Sequence, residues 1–198
     1  MDTITLEIIK NYSIKEYSNS IDKQHNLGHV KRVTKNALWI AKVLNLEGLI
    51  DKNLLESACY LHDVLIARRN AKNYFDQFYN YVIEKPLNQK YIGKILERFN
   101  LDPKEKQILE IAIINHSYSI PLRILYRRGN LYLKILKDAD SLDYISLERQ
   151  RSLLEGNEKI LRYLVNIYLS WIRKNIKKYL NFPELATRLN NGLVPFEI

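Results

Sequence analysis

Apolar residues recur at helical spacing through nearly the whole chain, and no sustained alternation of period two with hairpin-type turns interrupts them. The segments Ile4 to Tyr17, Val30 to Leu46, Leu54 to Ile66, Tyr74 to Phe99, Ile108 to Ile114, Leu131 to Ile145 and Ile160 to Leu180 all follow this pattern. A chain patterned this way can bury its apolar stripes only by packing helix on helix, so the expected class is all-α. The punctuation agrees. Asn45-Leu-Glu-Gly48, Lys85-Pro86, Asp102-Pro103, Ile120-Pro121, Arg128-Gly-Asn130, Gly156-Asn157 and Phe182-Pro183 read as breaks between helices. Asp102, with Pro103 next and Glu105 three residues on, reads as an N-cap followed by proline in the first turn. No long Gly/Ser/Pro linker and no internal repeat divides the 198 residues, so one domain is expected.

Charge gives a weaker constraint. Lys and Arg total 31 against 22 Asp and Glu, a formal net charge of +9. Such a balance suits anionic partners, whether phosphate esters, nucleotides, nucleic acid or an acidic membrane surface. The richness in Lys, Ile and Asn also suits an AT-rich genome, in which part of the charge is only a solvated surface; both readings stand. No apolar run approaches the ~18 residues of a membrane span. The opening Met1-Asp-Thr-Ile-Thr-Leu-Glu lacks the basic and apolar regions of a secretory signal. Cys59 is the one cysteine, which removes disulfides and thiolate zinc sites, and it sits in an apolar helical pattern as a small core residue. A soluble, cytoplasmic protein is expected. The tail, Lys159 to Leu189, carries Leu161, Leu164, Val165, Tyr168, Leu169 and Ile172 on one face and basic residues elsewhere, the pattern of a helix covering a core or of a basic amphipathic surface helix.

The four histidines are more informative. His29 opens the second helical segment; His62-Asp63 follows Ala58-Cys-Tyr-Leu61 in the third; His116 ends Ile111-Ala-Ile-Ile-Asn115; Asp140 lies in Lys137-Asp-Ala-Asp-Ser-Leu-Asp143. Polar groups within apolar helices must be satisfied, and facing helices of a bundle are where metal sites are built. Singly, each is more often a core or cap residue than a ligand.

Together, the spacing of His, His-Asp and Asp resembles the HD-domain superfamily of metal-dependent phosphohydrolases over roughly residues 20 to 150. The local match is to small stand-alone members: Asp22, His25, His29, Arg32 and Val33; Leu61, His62 and Asp63; Ile113 and His116; Asp138, Ala139, Asp140, Leu142 and Asp143. The resemblance implies a single HD-type bundle of about seven to nine helices spanning 1–198, with residues 157–198 as a helical extension packed on the core. It implies that His29, His62, Asp63 and Asp140 hold one divalent ion. Two departures stand out: Val64-Leu-Ile-Ala-Arg68 lacks the acid or lysine that several subgroups place soon after His-Asp, and Ser141 stands where arginine is frequent.

Two imidazoles and two carboxylates suit Mn, Fe, Co, Ni, Zn or Mg ions. Such an ion activates water and polarises phosphorus, and two carboxylates neutralise it, so an anionic substrate needs protein cations. Arg32, three residues after His29, is either a phosphate clamp or a salt bridge orienting a carboxylate. Arg123, Arg127 and Arg128 are further candidates for substrate binding, or a solvated loop; Lys31, Arg68 and Arg69 are weaker ones. Asp63, His116, His25 and Arg32 make up the candidate catalytic set. His116 and His25 either protonate a leaving oxygen and orient water or act as supporting and capping residues. Asp22 is placed to hold His25, Asp143 to support the ligands or simply carry a helix charge, and Tyr118 and Tyr126 to stack on a base or to pack.

The implied function is hydrolysis of a phosphomonoester or pyrophosphate bond in a small phosphorylated substrate, with a nucleotide expected. One alternative is a diiron oxygenase, which needs more histidines between His62 and Asp140 than the single His116. Another is a non-catalytic nucleic-acid or protein-binding module with a structural metal, against which stand the full ligand set and the absence of any nucleic-acid motif. Oligomeric state is open.

Overall fold

The computed structural model describes residues 1–22, 24–72, 74–117, 129–154 and 159–190, with the side chains of residues 74, 75, 77, 152, 153, 159–161, 189 and 190 outside the description. Arg123, Arg127, Arg128, Tyr118 and Tyr126 therefore lie outside the described residues. Those described form an all-helical bundle without strands: α1 Thr3–Ser18, α2 Leu27–Val43, α3 Lys52–Leu61, α4 Val64–Ala67, α5 Tyr74–Leu96, α6 Pro103–His116, α7 Leu131–Asp143, α8 Leu147–Leu154, α9 Lys159–Asn175 and α10 Glu184–Asn190. The short α4 is a single turn that resumes just beyond α3. No helix among the described residues is long and apolar enough to cross a membrane.

Helix α2 lies at the centre, packed on α7 and α3. Its inner face, Val30, Val33, Ala37 and Ile40, is fully buried, as are Leu55, Ala58 and Leu61 of α3 and Ile135, Leu136 and Ala139 of α7. Small residues at 37, 58 and 139 let the backbones approach closely. Asn36 donates from Nδ2 to the Ala139 carbonyl at 3.0 Å and so fixes α2 against α7. The sequence-readable cap of α6 is present: Asp102 accepts from the Glu105 amide, Glu105 reaches back to the Asp102 amide, and Pro103 opens the helix.

Three boundaries differ from expectation. Lys85-Pro86 does not divide two helices, because α5 runs through Pro86. The proline is exposed, and so is Val82, whose carbonyl its ring leaves unpaired, so water can satisfy that group. The third segment breaks at His62-Asp63 rather than running on to Ile66. The tail is divided: beyond α9 and a 3-10 turn the chain bends at residues 181 and 182 before α10. Of the α9 face expected to cover the core, Leu169 and Ile172 are buried while Leu164 and Tyr168 are exposed. Ile172, Ile176, Tyr179 and Leu185 join the same apolar cluster as α2, α3 and α7. Asp138 holds the tail there, accepting from the amides of Asn181 and Phe182 at 2.8 and 3.0 Å.

Candidate metal centre

His29 owes its position to the start of α2. Asn26 caps the helix and accepts from the His29 amide at 3.0 Å, fixing the first turn. The His29 Nδ1–H then donates to Asp143 Oδ2 at 2.7 Å, so the lone pair of His29 is on Nε2. His62 is fixed likewise by its own backbone. Its Nδ1 lies 2.7 Å from the Cys59 carbonyl, which can only accept, so Nδ1 carries the hydrogen and Nε2 the lone pair. The break between α3 and α4 is what makes His62 and Asp63 converge. Consecutive residues of an unbroken helix point roughly 100° apart, whereas Asp63, at φ −107° and ψ 6°, leaves the helical conformation and turns its carboxylate toward His62.

The four side chains gather at one buried place, in two overlapping candidate groups that share His62. The Nε2 atoms of His29 and His62 are 3.2 Å apart, Asp63 Oδ2 lies 3.1 Å from each, and Asp140 Oδ1 is 3.6 Å from His29 Nε2. Two ring nitrogens that have each spent their hydrogen elsewhere face each other with lone pairs, beside carboxylate oxygens. That arrangement is repulsive unless a cation occupies it, and the donor set suits a borderline divalent ion. Burial and Arg149 disfavour the charged form of His29, but Asp143 and Asp63 outweigh them and raise its pKa to about 9. Burial favours the neutral form of Asp63, yet His62, His25, His116 and His29 together hold it well below the ordinary carboxylate range.

The remaining motif residues surround this point. Arg32 directs Nε and Nη2 to the two oxygens of Asp143, at 2.5 and 3.2 Å. It does not line the cavity beside the four donors; it holds the carboxylate that holds His29. Burial raises the pKa of Asp143, but His29, Arg32 and Arg149 more than reverse this, so the group stays ionised. His25, partly exposed, donates from Nδ1 to Asp22 Oδ2 at 2.9 Å and contributes to the cavity wall. His116 also lines it, from the end of α6, with Nε2 3.2 Å from Asp63 Oδ1. Arg68 is occupied elsewhere, pairing with Glu16, and Arg69 donates to Asn80 Oδ1.

Sequence reasoning missed two charged residues of the cavity wall, as well as Ser117 and Tyr144 beside them. Glu84, buried on α5, lies 2.7 Å from His116 Nε2. Burial opposes charging His116, but Glu84 and Asp63 raise its pKa well above the ordinary 6.5; its Nδ1 donates to the Ile113 carbonyl at 2.6 Å. Nothing near His62-Asp63 in the sequence announces an acid arriving from another helix. Arg149, 4% exposed on α8, is the second. Its heptad-scale surroundings read as an ordinary charged helix, and only the turn after α7 brings it inward.

A sequence profile of the HD domain matches residues 26–145, more than half the chain. The chain belongs to the HD-domain family. No curated protein and no solved structure matches it. HD domains are in general metal-dependent phosphohydrolases, and the cluster of His29, His62 and Asp140 with Asp63 and His116 is of the kind that holds a divalent ion. The matched stretch begins at the cap of α2 and ends after α7, so Asp22, His25 and Arg149 fall outside it.

Proposed function

We propose that this HD domain is a divalent-metal-dependent phosphohydrolase that cleaves a phosphomonoester or pyrophosphate bond of a small phosphorylated substrate, a nucleotide in the first instance. The observation that carries the reading is the pair of Nε2 lone pairs, 3.2 Å apart, facing two carboxylates. His29, His62, Asp63 and Asp140 would hold the ion. When bound, such an ion acidifies water and withdraws charge from a phosphoryl oxygen. Asp143 keeps His29 in the tautomer that offers Nε2, and Arg32 keeps Asp143 ionised and in place. His116, charged between Glu84 and Asp63, carries a proton at Nε2 on the cavity wall, where it can be given to a leaving oxygen. His25, oriented by Asp22, serves to position water or substrate from the other end of the site. Arg123, Arg127 and Arg128 are proposed to add positive charge for the substrate. The motif core of residues 20–150 and the extension of 157–198 are read as one domain, and a cytoplasmic setting suits its single buried thiol, Cys59.

A second metal stoichiometry has one observation in its favour. His62, Asp63 and His116 form another close donor group, and Glu84 stands beside it. Metal analysis separates one ion from two.

The test is a phosphate-release screen over nucleoside mono-, di- and triphosphates, cyclic dinucleotides and sugar phosphates, with several divalent metals. Asp63→Ala should abolish both metal binding and hydrolysis. A titration showing no specific metal site in the wild-type protein would sink the reading.

A further inference from the structure

One cation in the cavity wall belongs to none of the motifs. Arg149 follows the matched family stretch by four residues and enters the cavity from α8, with only 4% of its surface exposed. Its guanidinium is held on two sides: Nη1 donates to the Gln24 carbonyl, and the group lies over the Tyr144 ring, 5.3 Å from its centre. Nε is left over. Among the described residues it has no hydrogen-bond partner. Asp143 Oδ2 is 4.0 Å away and is already engaged by His29 and Arg32.

A buried donor without an acceptor is uncommon, and arginine cannot relieve it by losing its proton. The same wall contains a second donor in this condition. Ser117 Oγ, at the end of α6 and 2% exposed, also lacks a partner among the described residues. Of the carboxylates lining the cavity, Asp63 and Asp140 would be taken up by an ion and Glu84 stands against His116. Charge leads to the same place. Two ligand carboxylates offset a divalent ion and leave a phosphate group uncompensated, so the site requires an acceptor-seeking cation next to the ion. Arg149 is fully charged, pre-oriented and unspent, as recognition of phosphate oxygen demands.

We infer that Arg149 Nε, assisted by Ser117 Oγ, binds a non-bridging phosphoryl oxygen of the substrate, an assignment that rests on the phosphohydrolase reading above. Arg149 is then the phosphate-recognition residue of this chain, contributed by a helix beyond the matched HD stretch, and Tyr144 and the Gln24 carbonyl hold its plane.

Calorimetric titration of orthophosphate into manganese-loaded protein tests this without reference to turnover. Wild type should bind phosphate, and Arg149→Gln should bind it about 10–100-fold more weakly, the loss expected for one charged hydrogen bond. Manganese stoichiometry should be unchanged, because Arg149 opposes rather than supports a nearby cation. Arg149→Lys should recover only part of the loss, since a point charge replaces the fork. Ser117→Ala should weaken phosphate by a smaller factor, about 3–10-fold. A folded, manganese-loaded Arg149→Gln protein with wild-type phosphate affinity overturns the assignment alone. Should Arg149→Gln fail to fold, unchanged affinity in both Arg149→Lys and Ser117→Ala overturns it equally. Wild-type protein that takes up manganese but no phosphate overturns the assignment and the phosphohydrolase reading together.

Discussion

At the scale of single residues, the site depends on where each imidazole places its hydrogen. His62 needs nothing beyond its own helix, because the Cys59 carbonyl three residues back takes Nδ1–H. His29 depends on a carboxylate 114 positions away, Asp143. Removing that acceptor frees the ring to rotate and lets the hydrogen move to Nε2, the atom a metal needs. Asp143→Ala should therefore weaken divalent-ion affinity about 10–100-fold while leaving all four proposed ligands in place, measured by competition with a chromophoric chelator. Unchanged affinity would show that Asp143 serves Arg32 rather than His29. The role of Asp143 was half legible in the sequence: it stands in the Asp-Ala-Asp-x-Leu-Asp run, one residue short of a turn past Asp140, but which partner it takes depends on how α2 meets α7.

At the scale of elements, helix existence was readable, and so was the capped start of α6, but several other boundaries were not. The stripe Leu54, Ala58, Leu61 and Leu65 correctly marks the buried face of α3 and α4, yet the same stripe hides the break at His62-Asp63, because buried apolar residues continue on both sides of it. Pro86 misled in the other direction: an exposed proline in a long helix loses one hydrogen bond to water and leaves the helix intact. Beyond the break, α4 is anchored to α1 by Arg68, whose Nε and Nη2 each donate to Glu16 at 2.7 Å. The hydrogen bonds from Arg68 lower the pKa of Glu16 from its ordinary 4.5, against a smaller effect of burial. A carboxylate depressed in the folded state contributes stability above its unfolded pKa and loses it as pH falls through the folded value. Glu16→Gln should thus cost about 1 kcal/mol or less near pH 7 for this partly exposed pair, and the difference from wild type should disappear in acid strong enough to protonate Glu16 in the folded state. Urea denaturation of both proteins at the two pH values reads this out. A difference that persists in acid would assign the loss to packing.

At the scale of the whole molecule, the bundle gathers its polar groups from α2, α5, α6, α7 and α8 onto one buried point. An ion that binds only where these groups are gathered stabilises the folded state over the unfolded one. Saturating divalent metal should raise the melting temperature over that in chelator by about 5–10 °C, following from roughly 2.7 kcal/mol at a hundredfold excess over Kd and about 2–4 °C per kcal/mol for a chain of this size. Scanning calorimetry of wild type and Asp63→Ala makes the comparison, and equal shifts in the two would place the stabilising ion elsewhere.

The sequence by itself determined the all-helical class, the capping of α6, and a motif order that marks His29, His62, Asp63 and Asp140 as the proposed ligands. These are properties of spacing, since helical periodicity and motif order are both written along one strand of residues. The tertiary structure alone decided that those four side chains gather at one buried place, that Arg32 serves Asp143, and that Glu84 and Arg149 share the cavity. Glu84 and Arg149 sit in ordinary-looking amphipathic helices, and whether a charge on such a helix faces water or an enclosed site depends on the packing of α5 and α8 around the core. That packing comes from burial of apolar surface distributed over the whole bundle, which no local stretch of sequence encodes.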